Sequence, residues 1–278
     1  MNRVLSRAGV NVVLVLSAAY MLFPLVWLAS AATKQLGGLY GSSMFDFSGF
    51  HLAGNLGDLA RQDGGVFGRW YLNSLGYAGG GAMIGALVSV AAGYAFDKYQ
   101  FRGKEKLFGV VLIGVLIPTT AMSLPLYLLA SKIGVVNSFW AVFIPVLTNP
   151  FGVYLARVFS QGYVPSEVLD ASRVDGAGEL RTFFSVGLRM LLPGYVTIFL
   201  FQFVAIWNNF FLPLVMLSDR SLFPVSLGLY IWNSNATAYP DFYPLVITGS
   251  FVSVLPLLVA FICLQRFWRS GLTAGSVK

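Results

Sequence analysis

The sequence contains very little charge for its length. Only 10% of its 278 residues are Asp, Glu, Lys or Arg, whereas 57% are hydrophobic, and soluble domains have about 25% charged residues. Water therefore cannot be the solvent for most of the surface, and the composition indicates an integral membrane protein. The net charge of +7 is small for a nucleic-acid-binding protein and fits basic residues that anchor helices at a membrane face. We expect contact with membrane lipid and no nucleic-acid partner.

Cysteine and histidine are nearly absent as well. The single cysteine, Cys263, excludes an internal disulfide, and the single histidine, His51, cannot form a histidine-rich metal centre. The chain also lacks the G-x-x-x-x-G-K-[ST] loop that cradles nucleotide phosphates, so we do not expect it to hydrolyse ATP itself. These absences predict no catalytic residue, no metal site and no cofactor bound by this chain.

Long apolar runs are what the sequence has instead. A helix needs about 20 apolar residues to cross a bilayer, and six uncharged runs approach or exceed that length, at residues 10–32, 74–95, 107–129, 138–156, 194–217 and 243–264. The first run is longer than the 7–15 residues or so of a signal-peptide core, so we interpret it as a retained span. The predicted fold class is an all-α membrane protein with six transmembrane helices.

The basic residues are unevenly divided between the two sides that this frame defines. With the N-terminus in the cytoplasm, thirteen Lys and Arg residues lie in cytoplasmic segments and five in outer ones. Basic residues are enriched in cytoplasmic loops of membrane proteins. The count therefore predicts that both chain ends are cytoplasmic, and that a cytoplasmic loop covers residues 157–193.

Six charges lie within residues 165–181 of that loop, which read PSEVLDASRVDGAGELR. Pro165 suits the first turn of a helix, and Glu167 and Asp170 favour the positive end of its dipole. Gly176 can adopt a positive φ and end that helix. Apolar residues at helical spacing then predict a second, amphipathic helix, with one face formed by Leu180, Phe183, Phe184, Gly187, Leu188 and Leu191. The loop therefore reads as two short helices that meet at an elbow.

The charges of the elbow distinguish a helix that lies on the membrane surface from a loop that binds a protein. A helix that lies on lipid headgroups is rich in Lys and Arg on its polar face. The first helix of the elbow carries more acid than base, so anionic lipid would repel it. A protein partner in the cytoplasm explains the charges better.

The elbow also resembles a known family. Asp170, Ala171 and Ser172, then Gly176, then a Val-Gly-Leu run at 186–188 follow the spacing of the "EAA" loop of ABC-importer permeases, E-A-A, three residues, G, nine residues, I-x-L-P. Arg189 replaces the proline of that pattern. The chain is similar in further stretches, at 73–78, 91–108, 207–214 and 271–278, to the maltose-type carbohydrate permeases, and specifically to the shorter subunit of a heterodimeric pair.

This resemblance implies a fold, partners and site residues. It implies one permease domain over residues 1–278 of type I ABC-importer architecture, in the bacterial cytoplasmic membrane. The implied partners are a second permease subunit, two cytoplasmic ATPases that hold ATP and Mg, and an extracytoplasmic solute-binding protein. The loop 165–189 would couple this chain to the ATPases through Glu167, Asp170, Ala171, Ser172, Asp175, Gly176 and Ala177.

The sequence also bears on alternative functions and on the solute pathway. A secondary carrier or channel does not explain an acidic elbow, and an intramembrane enzyme needs positioned acids, bases or metal ligands that the runs lack. Trp207, Asn208 and Asn209 combine an aromatic face with amides and are candidate pathway residues for a sugar. Trp also marks membrane interfaces and Asn also joins helices. The expected solute is a carbohydrate or a related compound, and the sequence does not distinguish a sugar from a polyol or a glycerophosphodiester.

Overall fold

The structure is a computed structural model that describes residues 2–43, 45–46 and 49–274. All regular elements among these residues are helical, as predicted, and none of them is a strand. The α-helices in chain order are α1 (Asn2–Ala31), α2 (Leu36–Gly41), α3 (Leu52–Arg61), α4 (Val66–Leu75), α5 (Gly81–Lys98), α6 (Lys104–Leu116), α7 (Ser123–Lys132), α8 (Phe139–Val146), α9 (Pro150–Tyr163), α10 (Ser166–Val174), α11 (Glu179–Thr182), α12 (Leu188–Met190), α13 (Leu192–Trp207), α14 (Phe211–Met216), α15 (Val225–Asn235) and α16 (Phe242–Ala274). Two π-helical turns join α4 to α5 (Gly76–Gly80) and α11 to α12 (Phe183–Gly187).

The helices that could cross a membrane are fewer than the six predicted spans. Four helical stretches are long and apolar enough within the described part of the chain, and a fifth is added if a pair bent by 77° counts as one span. The four are Gly9–Ala31, Val66–Lys98, Phe139–Tyr163 and Phe242–Phe267, and the bent pair is Glu179–Met190 with Leu192–Trp207. The structure thus has four or five such helices rather than six.

The difference comes from the predicted span 107–129, which is not one helix. Helix α6 ends at Leu116, residues 117–122 are non-helical, and α7 begins at Ser123. Pro118 has no backbone N–H to donate and disfavours helical backbone at the residue before it. Ile117 accordingly has extended backbone angles, with φ −78° and ψ 122°. The apolar composition of the run concealed this break.

The chain separates into two compact units, one of residues 1–68 and 229–255 and one of residues 69–228 and 256–278. The single domain over 1–278 stays a prediction. In the first unit, Phe67 and Phe242 stack on either side of Trp232, with ring centroids 6.4 and 6.0 Å from it. The large apolar side chains from Val10 to Trp27 are exposed, as suits a helix in lipid.

The core of the second unit is built on close contact between α5 and α9. A Cβ on Gly93 would lie 2.4 Å from the Cβ of Ala156 and 2.6 Å from the backbone nitrogen of Arg157. Small residues at a membrane-helix interface let two backbones approach in this way. Around this contact lies a buried cluster that also takes in α10 and α13, formed by Ala86, Val90, Tyr94, Ala156, Val164, Leu169, Phe183, Leu191 and Ile198.

Side chains at the start of this unit hold the segment 220–223 by its backbone. Trp70 donates to the Arg220 carbonyl at 2.8 Å, and Asn73 donates to the carbonyls of Ser221 and Phe223 at 2.8 and 3.0 Å. Arg69 also bonds to the Ser221 carbonyl, at 3.1 Å, and Tyr77 donates to the Leu222 carbonyl, also at 3.1 Å. Four consecutive carbonyls are therefore satisfied by one helical stretch, and we call this set of bonds the carbonyl brace.

Candidate functional site: a charged elbow and a cavity at three helix breaks

The predicted elbow is present as a tight turn between α10 and α11. Gly176 has φ +77°, so the predicted left-handed backbone at this residue is confirmed. The Gly176 N–H donates to the Arg173 carbonyl and the Ala177 N–H donates to the Ser172 carbonyl, both at 3.0 Å. These two bonds are those of the Schellman motif, which ends helices at a left-handed glycine.

One arginine closes the elbow from the side. The Arg173 guanidinium donates to Asp170 in its own helix at 2.8 Å and to both carboxylate oxygens of Glu179 in α11, at 2.9 and 3.2 Å. Its hydrogen bonds to Glu179 and then to Asp170 raise the pKa of Arg173. Exposed ion pairs contribute little to stability one by one, but together these bonds join the two arms of the elbow.

Buried groups fix the elbow to the core of its unit. Leu169 is 2% exposed and belongs to the buried cluster, as does Phe183. The hydroxyls of Ser172 and Thr182 lie 3.1 Å apart and join α10 to α11. The Phe183 ring lies 5.1 Å from the ring of Tyr94 in α5, and burial followed by the influence of the Glu179 carboxylate raises the pKa of Tyr99, the residue after α5, to about 12. The elbow is thus tied to the end of α5.

The second arm of the elbow differs from the predicted amphipathic helix. The π-helical turn Phe183–Gly187 interrupts it and shifts the side chains that follow relative to a 3.6-residue period. Leu180 and Phe184 are 77% and 53% exposed, so the prediction that they share the buried face of Phe183 and Leu191 is wrong. The elbow instead presents apolar side chains outward, including Val174 at 88% exposure.

The predicted coupling residues lie together on this elbow. Five of the seven are exposed, namely Glu167, Asp170, Ala171, Asp175 and Gly176, and the other two, Ser172 and Ala177, are half-buried. Sequence reasoning missed the exposure of Val174, which lies among these residues, and of Leu180, which follows them. Apolar residues in a helical pattern are usually assigned to a core. We call the exposed residues of 166–184 the elbow surface.

A second feature is a cavity of about 730 Å³ in the same unit. Three helices break where it lies, between α6 and α7, between α8 and α9, and between α13 and α14. Its lining includes eight residues with polar side chains, which are Thr119, Thr120, Ser123, Thr148, Asn149, Gln202, Asn208 and Asn209. Non-helical backbone is tolerated at membrane depth only where it is covered by protein or lines a water-filled cavity. The breaks therefore fit a hydrated space.

Two amides hold the break between α8 and α9. Gln202 is 4% exposed and donates to the Val146 carbonyl at 2.7 Å, a carbonyl that the end of α8 leaves without a helical partner. Asn149 caps α9 by accepting from the Gly152 N–H at 2.9 Å. Gly85 leaves space for Gln202, since a Cβ there would lie 2.0 Å from its Nε2 atom. These contacts position the cavity wall.

The three predicted pathway residues do not all reach the cavity. Asn208 and Asn209 line it, whereas Trp207 does not. Trp207 is buried, its ring stacked with Phe203 and edge-on to Tyr71, with both centroid distances 5.7 Å. The polar pairs Thr119-Thr120 and Thr148-Asn149 were not singled out from the sequence. Their signal was a polar pair next to a proline inside an apolar run.

Neither feature resembles a catalytic or metal site. Among the described residues, no group of three or more His, Cys, Asp or Glu side chains lies close enough together to hold a metal ion. The cavity lining contains no residue that carries a formal charge. Acid–base chemistry requires such groups. The arrangement is therefore suited to binding and passage rather than to bond-making.

The comparisons with known proteins agree with this description. The family model described as "Binding-protein-dependent transport system inner membrane component" matches residues 67–269. The arabinooligosaccharide transport permease of Halalkalibacterium halodurans is 33% identical over 216 residues, covering 78% of this chain and 76% of the relative. The lactose transport permease of Rhizobium radiobacter is 29% identical over 272 residues, covering 96% and 94%.

A solved structure shares the fold. A chain from a bacterial ABC transporter involved in the import of the acidic polysaccharide alginate superposes with a TM-score of 0.81 at 19% identity. The match covers 95% of this chain and 96% of the other. The agreement extends over nearly the full length of both chains, so the two chains share one fold.

Proposed function

The chain belongs to the family of binding-protein-dependent transport system inner membrane components, and we propose that it forms half of the translocation pathway of an ATP-driven importer for a carbohydrate or a related solute. The family is a transport component rather than an enzyme, and it places the chain in the inner membrane. Relatives that are named for the transport of arabinooligosaccharides, lactose and maltodextrin support a carbohydrate as the solute.

The observation that carries the proposal is the elbow surface. An exposed acidic and apolar surface is poorly suited to lipid headgroups, and its rigid attachment to the end of α5 suits the transmission of force. We propose that Glu167, Asp170, Ala171, Ser172, Asp175, Gly176 and Ala177 contact a cytoplasmic ATPase. Closure of two such ATPases on ATP and Mg would then move the helices attached to the elbow.

The proposed assembly has four further subunits. They are a second permease that completes the pathway as a heterodimer, two ATPases, and an extracytoplasmic solute-binding protein. The word "binding-protein-dependent" in the family description supports such partners in general terms. The thirteen-to-five division of basic residues supports cytoplasmic chain ends, which would place the elbow on the ATPase side.

Reconstitution tests the proposal. In proteoliposomes, the chain alone should show no ATPase activity and move no solute, because it has no phosphate-binding loop and forms half of a pathway. The complete complex should take up radiolabelled saccharide only with ATP inside and binding protein outside. Uptake by this chain alone, or by the complex without the ATPases, would contradict the proposal.

A further inference from the structure

Some polar side chains of the cavity are engaged in hydrogen bonds within the protein, and others keep groups that a ligand could use. Gln202 and Asn149 are engaged in holding the helix break, and the Thr148 hydroxyl donates to the Pro145 carbonyl at 2.8 Å. Asn208 and Asn209 are only half engaged. The Asn208 Nδ2 donates to the Val204 carbonyl at 2.9 Å, and the Asn209 Oδ1 accepts from the Leu212 N–H at 3.3 Å.

The remaining groups offer both kinds of hydrogen bond. Within the part of the chain that the structure describes, the Asn208 Oδ1 and the Asn209 Nδ2 have no partner, and neither do the hydroxyls of Thr119 and Thr120. The cavity therefore presents an amide acceptor, an amide donor and two hydroxyls that can do either. Alcohol groups, which both donate and accept, are the natural complement of such a set.

The rest of the lining restricts the ligand further. Phe151, Phe201, Phe210 and Phe211 supply apolar surface, which suits the C–H faces of a sugar ring. No lining residue is charged, so an anionic solute would find no counter-charge in this wall, whereas a neutral solute needs none. The volume of about 730 Å³ lies within the range of about 300–1,000 Å³ for small-molecule sites.

We propose that this cavity is a binding subsite of this subunit for a neutral saccharide, with Asn208, Asn209, Thr119 and Thr120 as its hydrogen-bonding groups. The proposal rests on the function proposed above, and it selects a neutral solute over an acidic one or a phosphodiester. The chain therefore shares its fold with a component of an importer of acidic polysaccharide, yet its own cavity wall is built for an uncharged one.

A matched pair of asparagines gives the test. Asn208 and Asn235 are both exposed and both donate to the carbonyl four residues earlier, at 2.9 and 3.0 Å, but only Asn208 lines the cavity. The assay is initial uptake of radiolabelled lactose, maltotriose, raffinose and arabinotriose by the complete complex in proteoliposomes. Asn208→Ala should lower uptake about three- to tenfold, the loss expected for one hydrogen bond. Asn235→Ala should stay within about twofold of the unsubstituted complex.

Two further variants separate binding from folding and neutral from acidic ligands. Thr120→Val keeps the side-chain shape and removes only the hydroxyl, so it should also lower uptake if the complex assembles normally by gel filtration. Asn208→Asp keeps an acceptor at the same position. With a neutral solute its uptake should exceed that of Asn208→Ala, whereas with an anionic solute charge repulsion should take it lower.

The outcomes distinguish the two proposals. If the unsubstituted complex takes up neither these four saccharides nor a radiolabelled uronic-acid oligosaccharide, the carbohydrate function itself is overturned. If it does take one up, and both Asn208→Ala and Thr120→Val match it, the function stands and the subsite is overturned. If it takes up a radiolabelled uronic-acid oligosaccharide and none of the four neutral saccharides, the neutral class of the ligand is overturned and the carbohydrate function stands.

Discussion

Replacing Gly176 by valine tests the elbow most directly. The residue has φ +77°, and an added Cβ would meet no atom within 4 Å. The substitution therefore creates no internal clash, and its cost is the strain of left-handed backbone alone. We expect the complex to assemble with its membrane helices intact, and to lose transport and its coupling to ATP hydrolysis.

The magnitude follows from the backbone conformation. Left-handed backbone costs a residue with a Cβ roughly 1–2 kcal/mol, which lowers the equilibrium constant between the bent elbow and its other conformations about 5- to 30-fold. If the ATPase docks only on the bent form, its apparent affinity falls by up to the same factor. Asparagine tolerates this region better than valine does, so Gly176→Asn should lie between glycine and valine.

Gly178 provides the matched control two residues away. It is also exposed and surrounded by open space, but its φ is −70°, which valine adopts freely. The assay is ATPase-subunit affinity for the purified permease pair, together with ATP-driven uptake in proteoliposomes. Gly178→Val should have less than a twofold effect on either. Equal losses from Gly176→Val and Gly178→Val, or no loss from either, would refute the argument from backbone strain.

Three other predictions follow from the same structure. Asp170→Lys should weaken ATPase co-purification by reversing an exposed charge on the elbow surface, and Asp170→Glu should be mild; equal retention by both would remove the charge from the contact. In intact cells with a cysteine-free background, an impermeant thiol reagent should label a cysteine at Ser234 and not one at Ser6, and the opposite pattern would reverse the membrane orientation. Gly93→Ala should lower the melting temperature of the complex, because its Cβ would lie 2.4 Å from a side chain of α9 and overpacking costs about 1–3 kcal/mol. Gly79→Ala, with open space around it, should melt like the unsubstituted protein.

The elbow could be predicted from the sequence because its signals are local. A proline before a helix, acids in its first turns and a glycine after its end act within a few residues of one another. The left-handed Gly176 follows from that pattern alone. The exposure of Leu180 and Phe184 does not, because apolar residues at helical spacing indicate a shared helix face and not which element covers that face.

The cavity could be predicted only in part. Asn208 and Asn209 stand out as amides within an apolar run, but their environment depends on two other helix breaks that are more than fifty residues away in sequence. The break near Pro118 was concealed by apolar composition, which measures affinity for lipid rather than continuity of a helix. Trp207 shows the converse limit, since its position next to two cavity residues did not bring it into the cavity.

The helical stretch Arg69–Lys98 also has a mechanical consequence. Its first residues hold the segment 220–223 through the carbonyl brace, and near its far end Tyr94 contacts Phe183 of the elbow. The π-helical turn Gly76–Gly80 divides this rod of roughly 45 Å into a short arm held by the carbonyl brace and a longer arm, α5, that packs on α9. Just beyond that joint, a Cβ on Gly81 would lie 3.0–3.2 Å from Val146 and Ile206, which both line the cavity. A rotation of the longer arm by about 10° about this joint would move its tip by roughly 5 Å. The displacement would be greatest at the elbow, while the joint itself lies against the cavity wall.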